Sequence, residues 1–315
     1  MASAAPTLID VLRLSTTYLG EHGSSSARLD SELLCAMALG LGRLDLYLQF
    51  DRPLDEHELT AIRELVRRRG KGEPVAYITG SREFYGRSYT VTPDVLVPRP
   101  ETETLVERAL AALRVGTDGR ARADGPVHDA EGAPVGGRPS VDEPARIAEP
   151  ARVADLGTGT GCIAITLAAQ TPGIEVIATD LSAAALKVAR ANAERLDAAV
   201  MFLECSWADS LAGHFDLIVS NPPYVTTDEL ESVDRDVRDF EPHTALLGGD
   251  LGLDAYRALL ASLQDHVTAS RILLEVDPRR AAEVGAMFGA AFPGATVAEV
   301  PDLAGRIRVV DVQMP

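Results

Sequence analysis

From Arg152 to the C-terminus the sequence alternates short apolar runs with stretches of helical periodicity, and this alternation restricts the fold more than any other feature. "RVADLG", "EVIATD", "VMFLEC" and "FDLIVS" read as strands, with helices expected from Gly161 and from Ser182. A helix near 253–268, "RILLEV", a helix near 279–290 and two closing strands, "ATVAEV" and "RIRVVDV", complete the series. Strands joined through helices pair in parallel and need cover on both faces, whereas the last two, with no helix between them, suit an antiparallel edge. The expected fold class is therefore α/β, a Rossmann-like, seven-stranded, mostly parallel sheet whose ligands bind at the carboxyl ends of the strands.

The first 70 residues follow a different period. "LIDVLRLSTTYL", "SARLDSELLCAMALGL" and "LDEHELTAIRELVRRR" repeat apolar residues at spacings of three and four, and Gly40, Gly42 and Gly70 stand where the repeat stops. We expect a small helical bundle domain over 1–80, a hairpin-like connector over 81–100, and the larger α/β domain over 101–315, opening with the helix "ETETLVERALAAL". The basic run "RRRGK", residues 67–71, reads as a solvated helix end. Residues 116–150 hold 11 Gly or Pro and only four large aliphatics. That composition predicts a disordered insertion.

No apolar stretch reaches 18 residues, and the opening "MASAAPTLIDVLRLSTTYLG" has no basic segment ahead of a compact apolar one. A cytoplasmic protein with no membrane contact is expected. The cysteines Cys35, Cys162 and Cys205 are scattered and the six histidines do not cluster, so neither a disulfide nor a metal site is expected. With 30 basic against 47 acidic residues the chain carries a net charge of −17, which disfavours direct nucleic-acid binding. Residues 1–90 are nearly balanced, with 11 basic and 12 acidic side chains, so only that part suits an acidic partner.

Two segments carry chemistry. "DLGTGTG" ends the first strand of the alternating series with Asp155, Gly157, Thr158, Gly159, Thr160 and Gly161. Glycines there let the backbone approach a ligand just before a helix N-terminus. Asp180, followed by Leu181, closes the next strand, where a carboxylate can accept from ribose hydroxyls. The spacing is G-x-G-x-G, not the G-x-G-x-x-G of dinucleotide binders, which favours a nucleoside cofactor without a pyrophosphate, S-adenosylmethionine. The second segment, "SNPPY", follows the buried strand "FDLIV". The Asn221 side-chain oxygen and the Pro222 carbonyl can accept both hydrogens of a planar NH2 group, Pro222 and Pro223 stiffen the backbone, and the Tyr224 ring offers a stacking face. Such a site presents a planar nitrogen for methylation by position and electrostatics, with no strong general base.

The set "GEPVAYITGSREFYG", "VLVPRPETETLVE", "DLGTGTG", "SNPPY" and "DFEPHTALLGG" resembles the PrmC/HemK family of release-factor glutamine methyltransferases over nearly all of the chain outside residues 116–150. The resemblance implies N5-methylation of the glutamine in the Gly-Gly-Gln loop of peptide-chain release factors, with S-adenosylhomocysteine as product and the helical domain gripping the protein substrate. It implies cofactor contacts from Gly157 to Gly161 and from Asp180, Trp207 and Asn221, and substrate contacts from Asn221 to Tyr224. It also sets "PRPETE" beside the site, so Arg99, Glu101 and Glu103 are candidate pocket residues, and a monomer is expected. Two positions depart from the family pattern: Ser206 stands where an Asp is common, with Glu204 as a substitute carboxylate, and Asp277 where Gly is usual. Readings left open are a ribosomal-protein glutamine, an exocyclic amine of adenine or guanine, and a non-catalytic cofactor-binding scaffold.

Overall fold

The computed structural model describes residues 5–123 and 150–315. Five helices come first: α1 (Leu8–Glu21), α2 (Ala27–Leu39), α3 (Arg43–Leu48), α4 (Glu56–Gly70) and α5 (Val75–Thr79). The α4 start is set by Asp55, whose side chain accepts from the Glu58 amide while Glu58 reaches back to the Asp55 amide. Leu8, Leu12, Leu19, Leu34, Leu46, Ile62 and Val66 bury the apolar stripes of these helices in one core. The basic run departs from its expected solvated state. Arg69 is 9% exposed, and its guanidinium donates to Asp30 of α2 at 2.7 Å and to Asp236 at 3.1 Å, far along the chain. The cation was legible as a helix-end charge, but its two acidic partners come from elements distant in sequence.

The connector forms the hairpin β1 (Ser81–Phe84) and β2 (Arg87–Thr90), turned by Tyr85 and Gly86 with φ of 49° and 68°. A 3-10 turn over Pro100–Thr102 leads into α6 (Glu103–Ala123). That helix runs past Gly116, where the expected insertion begins, because "RARA" resumes strong helix formers after the glycines. The expectation for 124–149 lies outside the described residues.

The α/β part continues with β3 (Arg152–Leu156), α7 (Cys162–Gln170), β4 (Glu175–Asp180), α8 (Ala183–Arg195), β5 (Met201–Glu204), β6 (Gly213–Phe215) and β7 (Leu217–Ser220). Then come α9 (Thr227–Leu230), α10 (Arg235–Phe240), α11 (Asp254–His266), β8 (Val267–Ala269), β9 (Arg271–Glu275), α12 (Ala281–Ala291), β10 (Thr296–Pro301) and β11 (Ile307–Gln313). Seven strands form one sheet in the order β10-β11-β9-β7-β3-β4-β5, parallel except at β11, which is antiparallel to both neighbours. The last two strands therefore pair as expected, while β6 and β8 form a separate parallel pair. Successive strand residues enter opposite layers: Val153, Leu217, Val219 and Leu273 face the core under α6 and α7, and Ala154, Leu156, Ile218 and Leu274 the core under α11 and α12.

The order reverses at β3, which lies between β4 and β7. Leu156 pairs with Ser220, so the chain segments starting at Gly157 and Asn221 leave the sheet side by side at its carboxyl edge. Tyr77 of α5 and the connector residues Val91, Val95 and Val97 pack on Ala185 and Val188 of α8, joining the helical unit to the flank of the sheet.

Candidate active site

The glycine loop is held by its own neighbourhood. Gly157 and Thr158 donate to the Thr179 carbonyl at 2.9 Å each, and Gly159 donates to Asp180 Oδ2 at 2.8 Å. Asp155 is fully buried, accepts from the Thr158 hydroxyl at 2.6 Å and from the Ala164 amide at 3.2 Å, and leaves Oδ1 without a partner. Burial raises its pKa to about 7, against the lowering pull of those two donors. Asp155 thus shapes the loop from beneath. Gly159 has φ +55° and a Cβ there would meet nothing within 4 Å, so the loop faces open space at this point. Gly161 has φ +79°, but a Cβ would press on Ile165 at 2.9 Å and on Ala189 at 3.2 Å. One glycine leaves room for a ligand; the other lets α7 pack on α8.

Trp207 has φ +43°, a left-handed conformation costly for a bulky side chain, held by the Thr179 hydroxyl donating to its carbonyl at 2.7 Å. Its half-buried ring packs against the core under α11 and reaches over Gly157. Asp180 is half-buried, Leu181 is 74% exposed, and Glu204 sits opposite Asp180 at the end of β5. A cradle open at Gly159, carboxylates at the strand ends and a ring at Trp207 fit S-adenosylmethionine.

The second half is a cavity of about 370 Å³ lined by Asn221, Pro222, Pro223 and Tyr224 on one wall. Arg99, Glu101, Asp234, Glu275 and Arg308 bring charge to it, and Leu96, Val225, Val233, Val237 and Leu246 are its main apolar residues. Val225 donates to the Leu246 carbonyl and Gly248 to the Val225 carbonyl, both at 2.9 Å, so "TALLGG" clamps the segment that follows Tyr224. Arg99 pairs with Glu241 at 2.6 Å, and Glu241 also accepts from the Val97 amide at 3.2 Å. Burial raises the Glu241 pKa, opposed by the Arg99 charge. Burial likewise drives the Tyr224 hydroxyl far up, so it stays neutral.

Arg99 therefore reaches the cavity, but Glu103 does not line it. The Glu103 carboxylate accepts from the Tyr85 amide at 2.9 Å, because the first residue of α6 faces the hairpin turn. His243 is exposed and meets the Arg238 carbonyl. Asp277 binds Arg279 and Arg280 around the turn into α12, in backbone that requires no glycine. Glu101 lines the cavity as expected for its segment, while sequence reasoning missed Thr102, Glu275 and Arg308. Glu275 left a signal: an acid closing the apolar strand "RILLE". Thr102 left none.

Residues 10–80 match the family model of the PrmC N-terminal domain, and residues 144–237 that of the methyltransferase small domain. The fold of the hMettl16 catalytic domain in complex with MAT2A 3'UTR hairpin 6 covers 76% of this chain and 82% of that one with a TM-score of 0.50, and at 16% identity it speaks for the fold alone. The release factor glutamine methyltransferase of Geobacter sulfurreducens is 39% identical over 90% of this chain and 88% of its own length. That of Nitratidesulfovibrio vulgaris is 37% identical over 96% and 94%. Similarity of that extent, spanning helical unit and sheet together, settles kinship: this chain belongs to the release factor glutamine methyltransferase family.

Proposed function

We propose that the chain methylates the N5 nitrogen of the glutamine in the Gly-Gly-Gln segment of peptide-chain release factors. The observation that carries the reading is the adjacency of the open glycine loop and the Asn221–Tyr224 wall, which leave β3 and β7 from paired positions. S-adenosylmethionine, when bound, supplies an electrophilic methyl group. The chain supplies orientation: the Asn221 oxygen and Pro222 carbonyl accept the two hydrogens of the substrate amide, and the Tyr224 ring covers its plane. The acceptors stabilise positive charge as it develops on that nitrogen. The apolar flank of the cavity at Val225, Val233 and Val237 suits the methylenes of a glutamine side chain.

The partner in this reading is a folded protein, met by the helical unit and the cavity rim, and the place of action is the cytoplasm, where translation ends. A net charge of −17 supports a protein substrate over nucleic acid, and the chain acts as a monomer. Among the described residues no helix is long and apolar enough to cross a membrane, and no acid, His or Cys group is arranged to hold a metal. Labelled S-adenosylmethionine offered with purified release factor, ribosomal proteins, ribosomal RNA and DNA in parallel tests the reading. Mass spectrometry should find one methyl on the Gly-Gly-Gln glutamine. Label on RNA, DNA or a ribosomal protein, with release factor unmodified, overturns it.

A further inference from the structure

One buried carboxyl group of the pocket takes no part in holding the substrate amide. Glu275 closes β9, is 2% exposed, and lines the cavity together with Asn221. The Tyr256 hydroxyl donates to its backbone carbonyl at 2.8 Å and pins the strand end, while its Oε2 is buried without a hydrogen-bond partner. Thr102, also 2% exposed, connects the two side chains. Its Oγ1 accepts from Asn221 Nδ2 at 3.3 Å, and its hydroxyl acts to lower the Glu275 pKa, so the one side chain interacts with both.

A side-chain amide presents an acceptor or a donor depending on which way round it is held, and the two ends have nearly the same shape. Amide methylation requires the Asn221 oxygen toward the substrate. A threonine hydroxyl alone does not choose, because it donates or accepts equally well. A carboxylate only accepts. With Glu275 ionised, the Thr102 hydrogen points at Glu275, the Thr102 lone pairs receive the Asn221 NH2, and the Asn221 oxygen is left facing the cavity. We infer that Glu275 and Thr102 are positioning residues that fix the orientation of the Asn221 amide and so create the acceptor a substrate amide meets. The inference rests on the amide-methylation reading.

Burial raises the Glu275 pKa to about 7; Thr102, Arg308 and Arg99 act to lower it and Glu101 to raise it. Tyr224 and Tyr256 also face this carboxyl and are kept neutral by burial, with Asp277 adding to the upward pull on both. A raised carboxyl is protonated at acid pH and ionises as pH climbs through its folded value, so the oriented form of Asn221 gains population from about pH 6 to about pH 8.

The chain has two asparagines, Asn192 and Asn221, so selective 15N-asparagine labelling reports two side-chain amides. Asn192 is held by the backbones of Thr90 and Thr160 and serves as the internal reference. In cofactor-free protein the Asn221 amide signals should move between about pH 6 and about pH 8, and in Glu275→Gln they should not. Toward folded release factor, Thr102→Val should lower kcat by about tenfold or more with S-adenosylmethionine affinity and KM nearly unchanged. Thr102→Ser should restore most of the rate, and Glu275→Gln should lose the rise of kcat over the same pH interval. Asn221 signals indifferent to pH, full kcat in Thr102→Val, or Thr102→Ser as impaired as Thr102→Val would each overturn the inference. Should Thr102→Val fail to fold, Thr102→Ser and Glu275→Gln decide. A native chain that leaves release factor unmodified overturns the proposed function instead, and the pH response of Asn221 then still answers for the orientation.

Discussion

The cofactor crevice and the amide pocket share one sheet edge but are assembled differently. In the crevice, Asp155, Gly157 to Gly161, Thr179 and Asp180 bond to one another within a short length of chain, and the longest of these contacts, Gly157 to Thr179, spans 22 positions. In the pocket, Arg99 meets Glu241 across 142 positions and Asn221 meets Thr102 across 119. The crevice follows from one strand-loop-helix unit and its neighbour. The pocket exists only when the segment before α6, the exits of β7 and β9, α10 and β11 have all docked. A site of the first kind tolerates distant change, whereas a site of the second registers it.

The sharpest way to separate the two halves is Asn221→Ala. It removes an acceptor from the pocket and leaves the loop hydrogen bonds alone. Methyl transfer to release factor should fall on the order of 100-fold or more. Calorimetric affinity for S-adenosylhomocysteine should fall only modestly; a matching loss in both would mean that the halves are one site energetically.

Within the crevice, the paired substitutions Gly159→Ala and Gly161→Ala should part company. Both place a side chain at positive φ, at a cost of roughly 1–2 kcal/mol each. Gly161→Ala adds a clash with Ile165 and Ala189, worth about 1–3 kcal/mol more, so it should lower the melting temperature further. Gly159→Ala should be the variant that weakens S-adenosylmethionine, by about tenfold, because its methyl group enters the ligand's space. Equal binding losses in both would blur the distinction between a ligand glycine and a packing glycine.

The smallest effect should come from the strap between the helical unit and the pocket. Asp236→Asn weakens the contact from Arg69 to α10 while Arg69 keeps Asp30 as partner. We expect KM for folded release factor to rise a few-fold, about 1 kcal/mol or less, with cofactor affinity unchanged. An unchanged KM would show that α10 is held by the Arg99–Glu241 pair and its apolar contacts alone.

The elements that could be read ahead of the structure share a local cause. The seven strands, the antiparallel closing pair and the three long N-terminal helices each follow from a period in their own residues and a stop signal beside it. "DLGTGTG" and "SNPPY" were readable for the same reason, since turn chemistry and hydrogen-bonding capacity belong to the residues quoted. The reading stumbled where a partner comes from elsewhere. Glu103 was assigned to the pocket on its place in "PRPETE", yet the hairpin turn at Tyr85 captures its carboxylate. Its place in a basic helix end predicts a solvated Arg69, yet Asp30 and Asp236 pair with it in a buried position.

The sequence by itself determined the α/β class, the place of the glycine loop at a strand end, and an Asn-Pro-Pro-Tyr segment able to hold a planar amide, because each depends on backbone preferences and donor counts a few residues long. Only the tertiary structure decided that those two segments emerge next to each other, through the pairing of Leu156 with Ser220. It alone brought Thr102 and Glu275 up to Asn221, with β9 and the turn before α6 meeting over the same carboxyl edge. Hydrogen bonds act over about 3 Å while Thr102 and Asn221 lie 119 residues apart, so no local pattern records such a contact until the sheet has closed the distance.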